Sequence, residues 1–158
     1  MPDEPHDRLD LKILPLTLCL YMVMLGIVVH WSCNWFIQLR MGQAWGILGL
    51  LLMLLAYWNI KWCFRLFAAA KTHTNTTKPA LTIVDAGPYR FSRNPMYASY
   101  VVGYAGLVLL MDSPVMFAVL VYFIYTLTEI VIKPEEQYLE RQFGKEYLDY
   151  KNSRRRWI

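Results

Sequence analysis

The sequence predicts an all-α integral membrane helical bundle of about four transmembrane helices, with a polar loop before the third and an amphipathic helix at the C-terminal end. Three observations predict it. Of 158 residues, 56% are hydrophobic and only 18% charged, well below the roughly one quarter charged of soluble chains. The apolar residues fall in long uncharged runs separated by short polar segments. The basic residues, finally, collect on one side of the membrane that such runs define.

Between Lys12 and Arg40 there is no acidic or basic residue, and the stretch 13–37 is long enough to cross the roughly 30 Å hydrocarbon layer as a helix. A secretory signal peptide is the competing reading of an N-terminal apolar run. The flank before this one carries Asp3, Glu4, Asp7 and Asp10 rather than a basic region, and no small-residue cleavage site follows. The run between Arg40 and Lys61 returns across the membrane as a second span, 44–60, with 41–43 as the turn. Residues 61–71 prolong that helix with charges among aromatics, until His73, Thr74, Asn75 and the residues up to Pro79 break it. Leu81 to Val84 reads as a short strand-like piece, turned back by Asp85, Ala86, Gly87 and Pro88.

The third span, 95–111, and the fourth, 114–132, are joined by the turn signal Asp112, Ser113, Pro114, and so form a helical hairpin. Small residues in the third span, among them Gly103 and Gly106, allow close helix packing, between copies of the chain or within that hairpin. From Pro134 onward an amphipathic helix is expected to start, because Glu135 and Glu136 suit a helix N-terminus and Tyr138, Leu139, Phe143, Tyr147 and Tyr150 make an apolar stripe. Gly144 interrupts the pattern.

In this topology Arg40 alone falls on one side, while the other basic residues flank the termini and the central segment. The positive-inside rule then places both termini and the polar segments in the cytoplasm. The net charge of +4 does not indicate nucleic acid, since the basic residues alternate with Glu135, Glu136, Glu140, Glu146 and Asp149 beside membrane spans. Membrane lipids are the expected partners, with Arg154, Arg155 and Arg156 on headgroups. Cys19, Cys33 and Cys63 lie in or beside apolar helices without metal-ligand spacing and read as buried thiols. His30 and His73 likewise have no partner at metal spacing, so no metal site is expected. Trp31, Trp35, Trp45, Trp58 and Trp62 read as interfacial anchors.

The segment GPYRFSRNPMY, Gly87 to Tyr97, followed after one helical hairpin by EEQYLERQFGKEYLDY, Glu135 to Tyr150, resembles the signature of the isoprenylcysteine carboxyl methyltransferase and phospholipid methyltransferase superfamily. The resemblance covers most of the C-terminal half, and the N-terminal half contributes hydropathy alone. It implies a single membrane methyltransferase domain over 1–158, with S-adenosylmethionine held at the cytoplasmic face by a region of about 73–97 and 133–150. By position, Leu81, Thr82, Ile83 and Val84 match a segment that lines the cofactor, and Tyr89 an aromatic beside it. Asn94, Pro95, Met96 and Tyr97 match a second cofactor stretch. Glu135 matches a carboxylate that holds the cofactor's amino group, and Thr74 falls near a further polar contact. Two departures stand out: the position before Pro95, often His in the prenylcysteine enzymes, is Asn94, and a substrate-facing Arg of those enzymes falls at Val131. Recognition of a prenylcysteine carboxylate by that Arg is therefore not supported.

Transfer of a methyl group from a sulfonium is an in-line displacement, so a protein has mainly to hold donor and nucleophile at roughly 3 to 3.5 Å and exclude water. The sulfonium suits an aromatic face, the ammonium an acidic side chain and the carboxylate a basic donor. Tyr89 or Tyr97, Glu135 and Arg93 fit these roles. No general base stands out; Asn94, Arg93 and Glu129 are the catalytic candidates, Glu129 because it is ionisable within an apolar run. Glu136 reads as a solvated charge at a helix start. The acceptor is a lipophilic small molecule or membrane lipid presenting a carboxylate, an amine or a thiol. Two other readings compete: a membrane reductase of sterol-reductase type with a nicotinamide cofactor, for which no Gly-rich dinucleotide fingerprint exists here, and a non-catalytic lipid-binding scaffold.

Overall fold

A computed structural model describes residues 13–33, 42–72 and 80–157. The elements are α1 (Pro15–Cys33), α2 (Gln43–Ala69), a 3₁₀ turn (Gly87–Arg90), α3 (Pro95–Leu110), α4 (Pro114–Leu127), a π-helical turn (Thr128–Ile132), α5 (Lys133–Phe143) and α6 (Lys145–Ser153). The all-helical membrane architecture expected from the uncharged runs is the one observed. Three helical stretches, α1, α2 and Pro114–Phe143, are long and apolar enough to cross a bilayer, whereas α3 has 16 residues. In the apolar stretches of α1 and α2 only 17% of residues are buried, so their outward Leu, Met and Trp side chains need lipid as solvent.

Ser113 caps α4 by accepting from the Met116 amide at 3.2 Å, and Pro114 follows at the first helical position, where its missing N–H costs nothing. The core gathers around α3 and α4: Tyr104, Val108, Met116, Leu120, Phe123, Leu127, Val131 and Ile132 are buried together, with Leu18 from α1.

Gly103 and Gly106 of α3 face α2, not the hairpin partner. A Cβ on Gly49 would stand 2.5 Å from the Gly106 carbonyl oxygen, and one on Gly106 would stand 2.5 Å from that of Gly49. The two backbones therefore touch where neither carries a side chain. About two turns earlier on α3, Asn59 Nδ2 donates to Ser99 Oγ at 2.8 Å and to the Pro95 carbonyl at 3.3 Å. Gly26 of α1 plays a related role, since its missing Cβ makes room for the Tyr104 hydroxyl, which donates to the Met22 carbonyl at 2.9 Å.

Several expectations are corrected. No helix starts at Pro134: α4, the π turn and α5 run on without a break from Pro114 to Phe143. Proline inside a helix lacks an N–H and crowds the preceding turn; the wider π turn directly before it, closed by Lys133 N–H on the Thr128 carbonyl, takes up that misfit. The expected C-terminal helix is two helices, broken at Gly144, whose φ of +53° and ψ of −122° L side chains rarely adopt. Residues 81–84 form no strand, and the single β-bridge among the described residues is a parallel one between Ser92 and Arg155. Gln43, assigned to a turn, is already helical. His73, Thr74 and the rest of 73–79, with Trp35 and Arg40, lie outside the described residues.

Candidate functional site

The first turn of α3 and the first turn of α5 meet through Tyr97 and Glu135. Tyr97, two residues into α3, donates its hydroxyl to Glu135 Oε2 at 2.7 Å. Glu135 is only partly exposed, and burial pushes its carboxyl from the ordinary 4.5 up to about 7, against the lowering effect of the Tyr97 hydrogen bond and with a smaller upward push from Glu136. No cation among the described residues pairs with it.

Tyr89, in the 3₁₀ turn, is buried within reach of the same carboxylate. Its ring stands edge-on to Phe67 of α2 at 5.6 Å, its hydroxyl meets the Cys63 thiol, and its carbonyl accepts from the Tyr150 hydroxyl at 3.1 Å. Burial drives the Tyr89 hydroxyl well above its ordinary range, so it stays neutral. The turn can approach α2 this closely because its first residue is Gly87, at φ +56°, where a Cβ would fall 2.9 Å from Leu66 and 3.1 Å from Trp62.

Residues 80–84 bridge α2 and α5. Ala80 is held at both backbone groups, its carbonyl accepting from Gln142 Nε2 at 2.7 Å and its N–H donating to the Tyr138 hydroxyl at 3.4 Å. The Leu81 N–H donates to Thr72 Oγ1 at 3.1 Å. Leu81 itself is exposed, while Ile83 and Val84 are partly covered.

Glu136 is not solvated. It is 5% exposed and lies between two guanidinium groups, Arg156 donating to both carboxylate oxygens at 3.0 and 2.8 Å and Arg93 standing 3.3 Å away. Buried carboxylates need such partners to stay ionised. Donating these hydrogen bonds to Glu136 in turn raises the Arg156 guanidinium above its ordinary range. Arg154 and Arg156 are accordingly engaged with protein rather than headgroups: Arg154 donates to both oxygens of Asp85, at 3.3 and 3.1 Å.

Residues 154–157 form a strap over the 85–94 segment. The Arg93 N–H donates to the Arg155 carbonyl at 2.9 Å, and Asn94 Nδ2 donates to the Arg156 carbonyl at 3.0 Å. Trp157 packs on the core beyond it. Asn94, a catalytic candidate, thus spends its amide donor on the strap. Glu129, another, is exposed and pairs with Lys133 at 2.6 Å. Arg93 Nη1 is engaged in the 3.3 Å ion pair with Glu136, while its Nε is buried without a hydrogen-bond acceptor among the described residues.

The sequence of residues 44–146 matches the family model for phospholipid methyltransferase. The chain belongs to the phospholipid methyltransferase family. It is also similar to the protein-S-isoprenylcysteine O-methyltransferase of Saccharomyces cerevisiae, with 28% identity over 108 residues, which are 67% of this chain and 45% of that protein. The chain therefore spans less than half the length of that relative. The family match runs from α2 into α6 and so includes Tyr89, Arg93, Asn94, Tyr97, Glu135 and Glu136. Sequence reasoning missed the strap, since nothing local marks Arg156 as the partner of Glu136. It also missed Asn59, whose only signal is an amide within an apolar run.

Proposed function

We propose that this membrane protein transfers a methyl group from S-adenosylmethionine to a lipophilic or membrane-embedded acceptor, with the whole chain acting as one domain and its polar end in the cytoplasm. The observation that carries the reading is Glu135, a carboxylate in a poorly hydrated place with one neutral donor and no cation. A buried anion without a counter-charge is costly, and a cofactor ammonium is the group that relieves it. Arg93 supports the same reading, because its buried Nε, without an acceptor among the described residues, suits the cofactor's carboxylate.

The cofactor supplies an electrophilic methyl group on a sulfonium. Glu135 holds the ammonium, with Tyr97 fixing the carboxylate's orientation, and the Tyr89 and Tyr97 rings offer faces to the sulfonium. Leu81 to Val84 line the cofactor from the α2 side, and Asn94, Pro95 and Met96 from the start of α3. Asn94, bound to the strap, positions that start rather than moving a proton. The strap keeps bulk water from the 85–94 segment. The acceptor is a lipophilic carboxylate, an amine such as a phospholipid headgroup, or a lipophilic thiol; a carboxylate needs no proton removed, which suits a site whose tyrosines stay neutral.

Calorimetric titration of S-adenosylmethionine or its demethylated product into the detergent-purified protein tests the reading, with Glu135→Ala alongside. Binding that the substitution weakens about tenfold or more, the scale of one charge-assisted contact, supports it. A folded protein that binds neither compound moves the reductase or scaffold reading ahead.

A further inference from the structure

On the side of α3 away from Tyr97, α2 and α3 enclose an open groove of about 560 Å³. Tyr97 and Ser99 are two positions apart, so about 200° separates them around the helix; the groove is distinct from the Glu135 centre. Its lower walls are apolar, built from Leu55, Ala56 and Val102, and the Asn59–Ser99 hydrogen bond crosses its floor. Trp58 and Trp62 line it as well, both exposed. At its end stand Lys61 and Arg65, one helical turn apart on the same face.

Those two cations are exposed, and neither is ion-paired to a described residue. The groove lining contains no acidic side chain. An apolar trough about 15 Å long from Leu55 to Arg65, flanked by indoles and closed by two unneutralised cations, has the polarity of an amphiphile with an anionic head. We propose that the α2–α3 groove is a binding site for an anionic phospholipid, its phosphate bridging Lys61 and Arg65 and an acyl chain lying along Leu55, Ala56 and Val102. Indole rings beside the phosphate match the preference of Trp for the headgroup boundary.

Native mass spectrometry of the full chain in a non-ionic detergent, with added phosphatidylglycerol or phosphatidylcholine, tests this. The first phosphatidylglycerol is expected to bind about tenfold or more tighter than phosphatidylcholine, and Lys61→Ala with Arg65→Ala to remove that preference, each cation contributing about fivefold. Ala98→Leu, which fills the apolar part, is expected to weaken the first lipid with both charges kept. Millimolar inorganic phosphate is expected to leave the lipid in place. Equal loss in Arg141→Ala with Lys145→Ala, which removes the same charge from the exposed faces of α5 and α6, overturns the proposal in favour of bulk attraction. Retention in the Lys61/Arg65 variant, or displacement by inorganic phosphate, overturns it also.

Discussion

Replacing Glu135 by Gln separates what the carboxylate costs the free protein from what it gives the complex. The side chain keeps its shape and its acceptor for the Tyr97 hydroxyl, and loses only its charge. In the free protein the carboxyl sits at about 7 against an ordinary 4.5. A carboxyl held above its unfolded value binds its proton more readily when folded, so stability falls as pH rises from 4.5 through 7 and the full penalty is present above that. The interval corresponds to at most about 3 kcal/mol. Glu135→Gln is therefore expected to unfold at a higher temperature than the parent at pH 8, and with no advantage near pH 4. With S-adenosylmethionine the order reverses: the lost ammonium contact weakens binding by about 10- to 100-fold, the range of a hydrogen bond to a charged group. Thermal unfolding at the two pH values, with and without cofactor, reads both effects. A variant no more stable than the parent at pH 8 would falsify the account of an uncompensated carboxylate, and unchanged cofactor affinity would remove Glu135 from the binding site.

Other expectations follow from the same geometry. Tyr97→Phe removes the hydrogen bond that lowers the Glu135 carboxyl, so the pH below which cofactor affinity declines should move upward from about 7; calorimetry across pH checks the direction. Gly26→Ala drives a Cβ to 2.1 Å from the Tyr104 hydroxyl and should destabilise by about 1–3 kcal/mol, with much of the loss recovered in the double variant with Tyr104→Phe. Gly106→Ala meets backbone at 2.5 Å and not a side-chain tip, so its melting temperature should fall further than that of Gly26→Ala, and no single partner substitution should rescue it. Glu136→Ala leaves Arg93 buried beside no counter-charge and should cost about 3–5 kcal/mol. Arg156→Ala leaves the Arg93–Glu136 pair and should cost less, a ranking that denaturation in one detergent settles.

The helices were legible because each uncharged run carries its own limits. Asp112, Ser113 and Pro114 mark the hairpin turn by composition alone, and the structure has α3 ending at Leu110 and α4 starting at Pro114. The Tyr97–Glu135 contact lay within reach of the sequence only through the paired motifs, since hydropathy says nothing about which end of α5 meets which end of α3. Continuity across Pro134 was misread because the proline rule assumes an α-helical preceding turn, and a π turn has no signature in composition. The Glu136–Arg156 pair, the closure of the strap on Asn94 and the fit of Gly26 to Tyr104 join residues far apart in the chain. Such pairings depend on the tertiary path of the backbone, and local periodicity does not encode that path.

The uninterrupted helix from Pro114 to Phe143 ties the carboxylate's surroundings to the bilayer itself. Glu135 follows the last apolar residue, Ile132, by three positions, a rise of about 4.5 Å, on the same rigid rod. Any change in hydrocarbon thickness that raises or lowers this rod, at a cost of fractions of a kcal/mol per Å, carries Glu135 toward or away from water by a similar distance. Its proton affinity is therefore expected to respond to the lipid composition around α4, which titration in bilayers of two thicknesses would read. The same polypeptide placed in thin and thick membranes would then carry this carboxyl ionised to two different extents, with no change in its own sequence.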